Sequence, residues 1–189
     1  MRFYQFSLLF IAIIISSCGG GSSSTEIEID SEVDSSDEPC IIYQAGLGEG
    51  TTFNCRIIYD NVIRQFYIYL GSSYQSNSPV LFSLHGYTSR ALWNMNYTGF
   101  QSIADEFGFI VVYPQGTLLP ATGQTHWNVG GWTTSSTTDD VGFLNEVIDF
   151  LDDEYAINLK RIYSTGMSNG GYMSYKLACD LSSRIAAVV

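Results

Sequence analysis

The chain of 189 residues is 46% apolar and 14% aromatic, which suits one domain with a sizeable core and excludes a disordered protein. Its formal net charge of −11 would exclude nucleic acid as a natural partner if it were evenly spread, because a phosphate backbone is met by a basic surface, and no nucleic-acid partner is expected. The acidity is local: seven of the nineteen acids are Glu26, Glu28, Asp30, Glu32, Asp34, Asp37 and Glu38. That run reads as a solvated tail and leaves the remainder only mildly acidic.

In chain order, Arg2 precedes an apolar run over residues 3–15 and then small residues, which predicts an export signal over residues 1–17. The run is too short for a membrane span. Its end, Ile15-Ser16-Ser17-Cys18, resembles the bacterial lipobox, which implies cleavage before Cys18 and lipidation of that cysteine. An ordinary secretory peptide is the alternative. Residues 18–45, with Gly19-Gly20-Gly21-Ser22-Ser23-Ser24 and the acidic run, fit a flexible tether. Two or more acyl chains would hold the domain stably at a membrane, periplasmic or at the cell surface. Export permits disulfides, and Cys40 with Cys55 could close a short loop contributing about 3 kcal/mol. Cys179 is expected either as a small buried apolar residue or as a partner for something beyond the chain end.

The domain proper is placed at residues 46–189. Residues 51–59 and 62–70 are rich in β-formers and separated by Asp60-Asn61, the pattern of a tight hairpin. Residues 80–84, 109–113 and 161–165 are short apolar runs, as expected for strands covered on both faces. Phe100, Ile103, Ala104 and Phe107 recur at helical spacing and stop at Gly108. Val141, Leu144, Val147, Ile148, Leu151 and Tyr155 predict a longer helix, opened by Asp139 and Asp140, whose charges suit a helix N-terminus. Met173, Leu177 and Leu181 mark a third helix over residues 171–180, and residues 185–189 look like the start of another strand. Alternation of strand and helix predicts an α/β protein with a doubly wound, mostly parallel sheet.

Gly166-Met167-Ser168-Asn169-Gly170 fits Gly-x-Ser-x-Gly. The pentapeptide alone is a weak signal; its place between a buried strand and an amphipathic helix is a strong one. That is the setting of a nucleophile elbow in the α/β-hydrolase fold, where a sharp turn presents the serine and glycines allow close approach of strand and helix. Ser168 is therefore the candidate nucleophile, with Gly166 and Gly170 as the glycines of the turn. In such a fold the loop after an earlier strand supplies one oxyanion donor, and the residue after the serine supplies the other. His85-Gly86-Tyr87 follows strand 80–84, which assigns the backbone N–H groups of Tyr87 and Asn169 to the hole. His85 is read as a structural residue bonding nearby loop backbone, and Gly86 as part of the same loop.

Leu84-His85-Gly86, Ile103-Ala104-Asp105, Val112-Tyr113-Pro114, Trp127-Asn128, Asp139-Asp140-Val141-Gly142-Phe143 and Tyr163 through Gly171 together resemble the polyhydroxybutyrate depolymerase and feruloyl esterase group of secreted α/β-hydrolases, over roughly residues 55–189. The resemblance implies a Ser, Asp, His triad acting on carboxylic esters through an acyl-enzyme, without metal or cofactor. At His126-Trp127 the family often has a cysteine before the tryptophan, so one family disulfide is expected to be missing. After Ser168 the only acid is Asp180 and there is no histidine. The chain is therefore expected to be a fragment, truncated after the elbow helix, lacking its catalytic acid and base and silent by itself. Activity in this form would bring His126 back as the base.

The Gly- and Thr-rich stretch over residues 115–138 is long for a connector. It is expected to wall a substrate cleft, with Trp127 placed there by its motif match and Trp132 either lining the cleft or anchoring the loop. Three functional readings follow. The first is an exported esterase for a polyhydroxyalkanoate-type polyester or a feruloyl or plant polysaccharide ester. The second is an acetyl xylan esterase or small-ester carboxylesterase. The third is a surface lipoprotein that only binds, on a degenerate hydrolase scaffold.

Overall fold

The computed structural model describes residues 39–43 and 48–189, so the export signal, Cys18 and most of the tether lie outside the described residues. The described strands are β1 (Cys40–Ile42), β2 (Thr51–Tyr59), β3 (Val62–Leu70), β4 (Val80–Leu84), β5 (Ile110–Pro114), the short pair β6 (Thr117–Leu118) and β7 (Thr125–His126), then β8 (Ile162–Gly166) and β9 (Ala187–Val188). The α-helices are α1 (Ala91–Thr98), α2 (Phe100–Phe107), α3 (Asp140–Tyr155) and α4 (Asn169–Asp180), with a 3-10 turn at Gly131–Thr133.

Seven strands form one sheet in the order β1-β2-β3-β5-β4-β8-β9. The β1–β2, β2–β3 and β3–β5 pairs are antiparallel, whereas β5–β4, β4–β8 and β8–β9 are parallel. Asp60 and Asn61 turn the β2–β3 hairpin with φ of 51° and 59°, the left-handed pair that a two-residue turn needs to match strand twist. Five of the expected strands recur within one residue of their predicted bounds, and the strand expected to start over residues 185–189 is β9, parallel to β8.

One face of the sheet, with Phe66, Ile68, Phe82, Leu84, Val112 and Ile162, packs against Phe143, Leu144, Val147, Ile148 and Leu151 of α3 and Met173 and Leu177 of α4. The other face carries Tyr67, Tyr69, Val111 and Tyr113 and receives Ala91 and Met95 of α1 and Ala104 of α2. Full burial of each large aliphatic or aromatic side chain is worth about 1.5–3 kcal/mol. The two layers are therefore held mainly by apolar contact, with the central strands covered on both sides.

Three sequence expectations need correction, and one helix was missed. The sheet begins at Cys40, inside the segment assigned to the tether, because Cys40 is disulfide-bonded to Cys55 opposite it and draws β1 onto β2. Helix α1 was not foreseen. In α2 only Ala104 of the expected stripe is buried, while Ile103 and Phe107 are 44% and 68% exposed. That helix docks through its small residue: a Cβ on Gly71 would lie 2.6 Å from the Ala104 carbonyl carbon. It is pinned by Asp105, which accepts hydrogen bonds from the Tyr69 hydroxyl at 2.7 Å and the Ser72 amide at 2.7 Å. Finally, Cys179 is exposed and free rather than a buried apolar residue, since α4 buries Met173, Ser174 and Leu177 instead.

Candidate active site

Strand β8 runs into Gly166, and α4 begins at Asn169, so the chain reverses within two residues. Ser168 takes φ 52° and ψ −115° to make that turn and is exposed. A non-glycine residue in this region costs about 1–3 kcal/mol and persists only where its surroundings impose it. The surroundings are dense. Met167 N–H donates to Leu84 O at 3.3 Å, Gly170 N–H to Met167 O at 2.9 Å and Tyr172 N–H to Ser168 O at 3.0 Å. Ser164 and Ser174 share a buried hydroxyl–hydroxyl bond of 2.8 Å that ties β8 to α4. The glycines are required by contact: a Cβ on Gly170 would sit 2.6 Å from the His85 carbonyl oxygen, and one on Gly166 would sit 2.5 Å from the Gly170 carbonyl oxygen.

The loop after β4 lies beside the turn, since a Cβ on Gly86 would be 3.2 Å from Met167 Cε and 3.9 Å from Ser168 Cβ. His85 is fully buried. Its Nε2 accepts the Gly116 N–H at 3.0 Å, so Nδ1 carries the proton and donates to Gly86 O at 2.8 Å. Burial lowers its pKa from 6.5 to about 4, which keeps the ring neutral at ordinary pH. His126 is also buried and sets Nδ1 against Thr117 O at 3.0 Å. Neither histidine is presented to the surface where Ser168 stands.

Trp127, expected to line the substrate cleft, has 0% exposure and cannot touch a substrate in this conformation. Its ring packs against His85 at 5.0 Å between centroids. Its indole N–H donates to His85 O at 2.9 Å, and its backbone N–H donates to Asn169 Oδ1 at 2.6 Å. Trp132 is 53% exposed, and its ring meets Tyr87 edge to face at 5.0 Å. It therefore stands at the surface beside the loop proposed to bind the oxyanion.

Against the 115–138 stretch lies a buried ion pair that sequence reading missed. Asp140 accepts from Arg64 at 2.6 Å and from the Asn128 N–H at 2.7 Å, and the Arg64 guanidinium stacks on Phe143 at 3.9 Å. Burial pushes the Asp140 carboxyl above its ordinary range, and Arg64 opposes that shift. Arg64 lies 76 residues before Asp140, so no local pattern joins the two. Among the described residues no group of three His, Cys, Asp or Glu is placed to hold a metal.

A sheet with a parallel centre, helices on both faces and a strained serine at a strand-to-helix turn defines the α/β-hydrolase fold. Known proteins agree. Over 124 residues the chain is 35% identical to a bifunctional acetylxylan esterase/xylanase of Neocallimastix patriciarum, covering 66% of this chain and 17% of that protein. It is 29% identical over 117 residues to feruloyl esterase B of Thermothelomyces thermophilus, covering 60% and 38%. It is 31% identical over 108 residues to the poly(3-hydroxybutyrate) depolymerase of Ralstonia pickettii, covering 51% and 21%. Among solved structures, an acetyl xylan esterase from Aspergillus awamori superposes with a TM-score of 0.59 at 18% identity, over 71% of this chain and 50% of that one. No family model matches the sequence. These relatives are the ester hydrolases that the sequence motifs resemble, and the chain spans less than half the length of the curated relatives named here.

Proposed function

We propose that this protein is an exported serine esterase that cleaves carboxylic esters through an acyl-enzyme on Ser168. The observation carrying the proposal is the exposed Ser168 at φ 52° and ψ −115°, seated beside the His85-Gly86-Tyr87 loop. Ser168 Oγ attacks the ester carbonyl carbon, and the carbonyl oxygen takes the negative charge. The N–H of Asn169, in the first turn of α4, has no intrahelical partner, and with the Tyr87 N–H it stabilises that oxygen. Collapse expels the alcohol and leaves an acyl-serine, which water cleaves. The reaction needs a base to take the serine proton, and the burial of His85 and His126 argues for a histidine other than these two. Trp132 beside Tyr87 supplies an exposed aromatic face for a sugar or aryl group. The acetylxylan and feruloyl names among the relatives favour polysaccharide-borne esters over polyesters as substrates.

The test is labelling of the protein, as its natural reading frame encodes it, with a fluorophosphonate, followed by assay on acetylated xylan, a feruloylated oligosaccharide and a polyester. Ser168 should be the labelled residue, and Ser168→Ala should lose both labelling and ester hydrolysis. Labelling at another serine with turnover intact would overturn the assignment. Export and lipidation at Cys18 belong to the same proposal, and Cys18→Ala should move the protein from the membrane to the soluble exported fraction. A wild-type protein already soluble with an unlipidated N-terminus would refute the anchor.

A further inference from the structure

We propose that Trp127 is a positioning residue that braces both backbone donors of the oxyanion hole, an inference that rests on the esterase reading above. Trp127 touches the two sides of the site at once. Its backbone N–H donates to Asn169 Oδ1 at 2.6 Å, and Asn169 Nδ2 donates back to the Trp127 carbonyl at 3.1 Å. This reciprocal pair fixes the residue that opens α4, whose backbone N–H is one donor. On the opposite side the indole N–H holds the His85 carbonyl at 2.9 Å.

The second donor is controlled one peptide further on. Because a trans peptide is planar, its C=O and N–H point in opposite directions, so fixing the Gly86 carbonyl also aims the Tyr87 N–H. That carbonyl accepts from His85 Nδ1 at 2.8 Å, and the His85 ring is itself packed under Trp127 at 5.0 Å. Trp127, Asn169 and His85 are all at most 1% exposed. They form one buried clasp between the strand–helix turn and the loop after β4. A hole of this kind works because its donors are fixed before charge develops, and misplacement by about 1 Å costs on the order of 10²-fold in rate.

Trp127→Phe keeps an aromatic ring but removes the indole donor together with the volume of the five-membered ring. In the protein encoded by its natural reading frame, the expected result is a fall in kcat of about tenfold or more with KM changed less than twofold. Affinity for a boronic acid that forms a tetrahedral adduct on Ser168 should fall by the same factor, both read well below the thermal midpoint, which the lost indole volume itself lowers. A stabilising role alone would lower the midpoint and leave kcat of the folded fraction and boronate affinity intact, which would overturn the proposal. A rise in KM at constant kcat would also overturn it, by making Trp127 a substrate contact. Should Trp127→Phe fail to fold, Asn169→Asp tests the other arm, since it loses the Nδ2 donor and should show the same split. A wild type that neither hydrolyses esters nor labels at Ser168 would instead refute the esterase reading.

Discussion

Acidification should loosen this fold through one neutral ring, His85. Its pKa falls from 6.5 in an unfolded chain to about 4 in the folded protein because it is fully buried. Between those values the unfolded state binds a proton that the folded state refuses, so stability rises with pH across the window and is lost as pH falls from 6.5 towards 4. At about 1.4 kcal/mol per pKa unit, the whole window is worth on the order of 3 kcal/mol. Asp140, raised by burial, contributes with the opposite sign above the ordinary carboxylate range. Asp105, held low by its hydrogen bonds, loses its contribution only at lower pH. The comparison is therefore made as a difference: urea midpoints of wild type and His85→Gln from pH 4.5 to 6.5. Wild type should gain more stability than His85→Gln over that range, and His85→Gln should be less stable at pH 7 and keep only the opposite slope of Asp140. Equal slopes for the two proteins would refute the assignment of the window to His85.

Three further outcomes are expected. Gly170→Ala should destabilise by about 1–3 kcal/mol in denaturant titration, because its methyl would press on the Leu84 and His85 carbonyls. Asp140→Ala should cost about 3–5 kcal/mol by stranding the buried Arg64. The double variant Arg64→Met, Asp140→Leu should recover much of that loss, as measured in a double-mutant cycle. Without denaturant or reductant Cys179 should react with a maleimide while Cys40 and Cys55 do not, read by mass spectrometry. Reduction of that bridge, which spans 15 residues, should then cost about 3 kcal/mol.

Local chemistry made much of the fold legible. The apolar runs of β4, β5 and β8, the left-handed Asp60-Asn61 turn and the glycines around Ser168 each depend on neighbours within a few residues, so their signal lies in the sequence itself. What escaped was decided across the chain. Trp127 sits in a loop rich in Gly and Thr, where no periodicity tells which way an indole faces; its partners are His85 and Asn169, each 42 residues away. Asp140 looked like a charge at a helix terminus, yet its carboxylate turns inward to Arg64, and Asp139 instead accepts from Gly142 N–H at the helix start. The α2 stripe misled because docking against Gly71 selects the smallest residue rather than the most apolar face.

The bridge between Cys40 and Cys55 has a mechanical meaning. Strand β1 is only three residues long and holds β2 with few ladder hydrogen bonds. A pull transmitted along the chain from the N-terminal side would reach Cys40 first. There it would pass through a covalent bond into β2, whose nine residues pair along their whole length with β3. Tension would therefore enter the longest hairpin of the sheet at Cys55 instead of peeling its edge strand, and would reach the turn at Ser168 only through the far strands. With the disulfide reduced, the same pull would strip β1 alone.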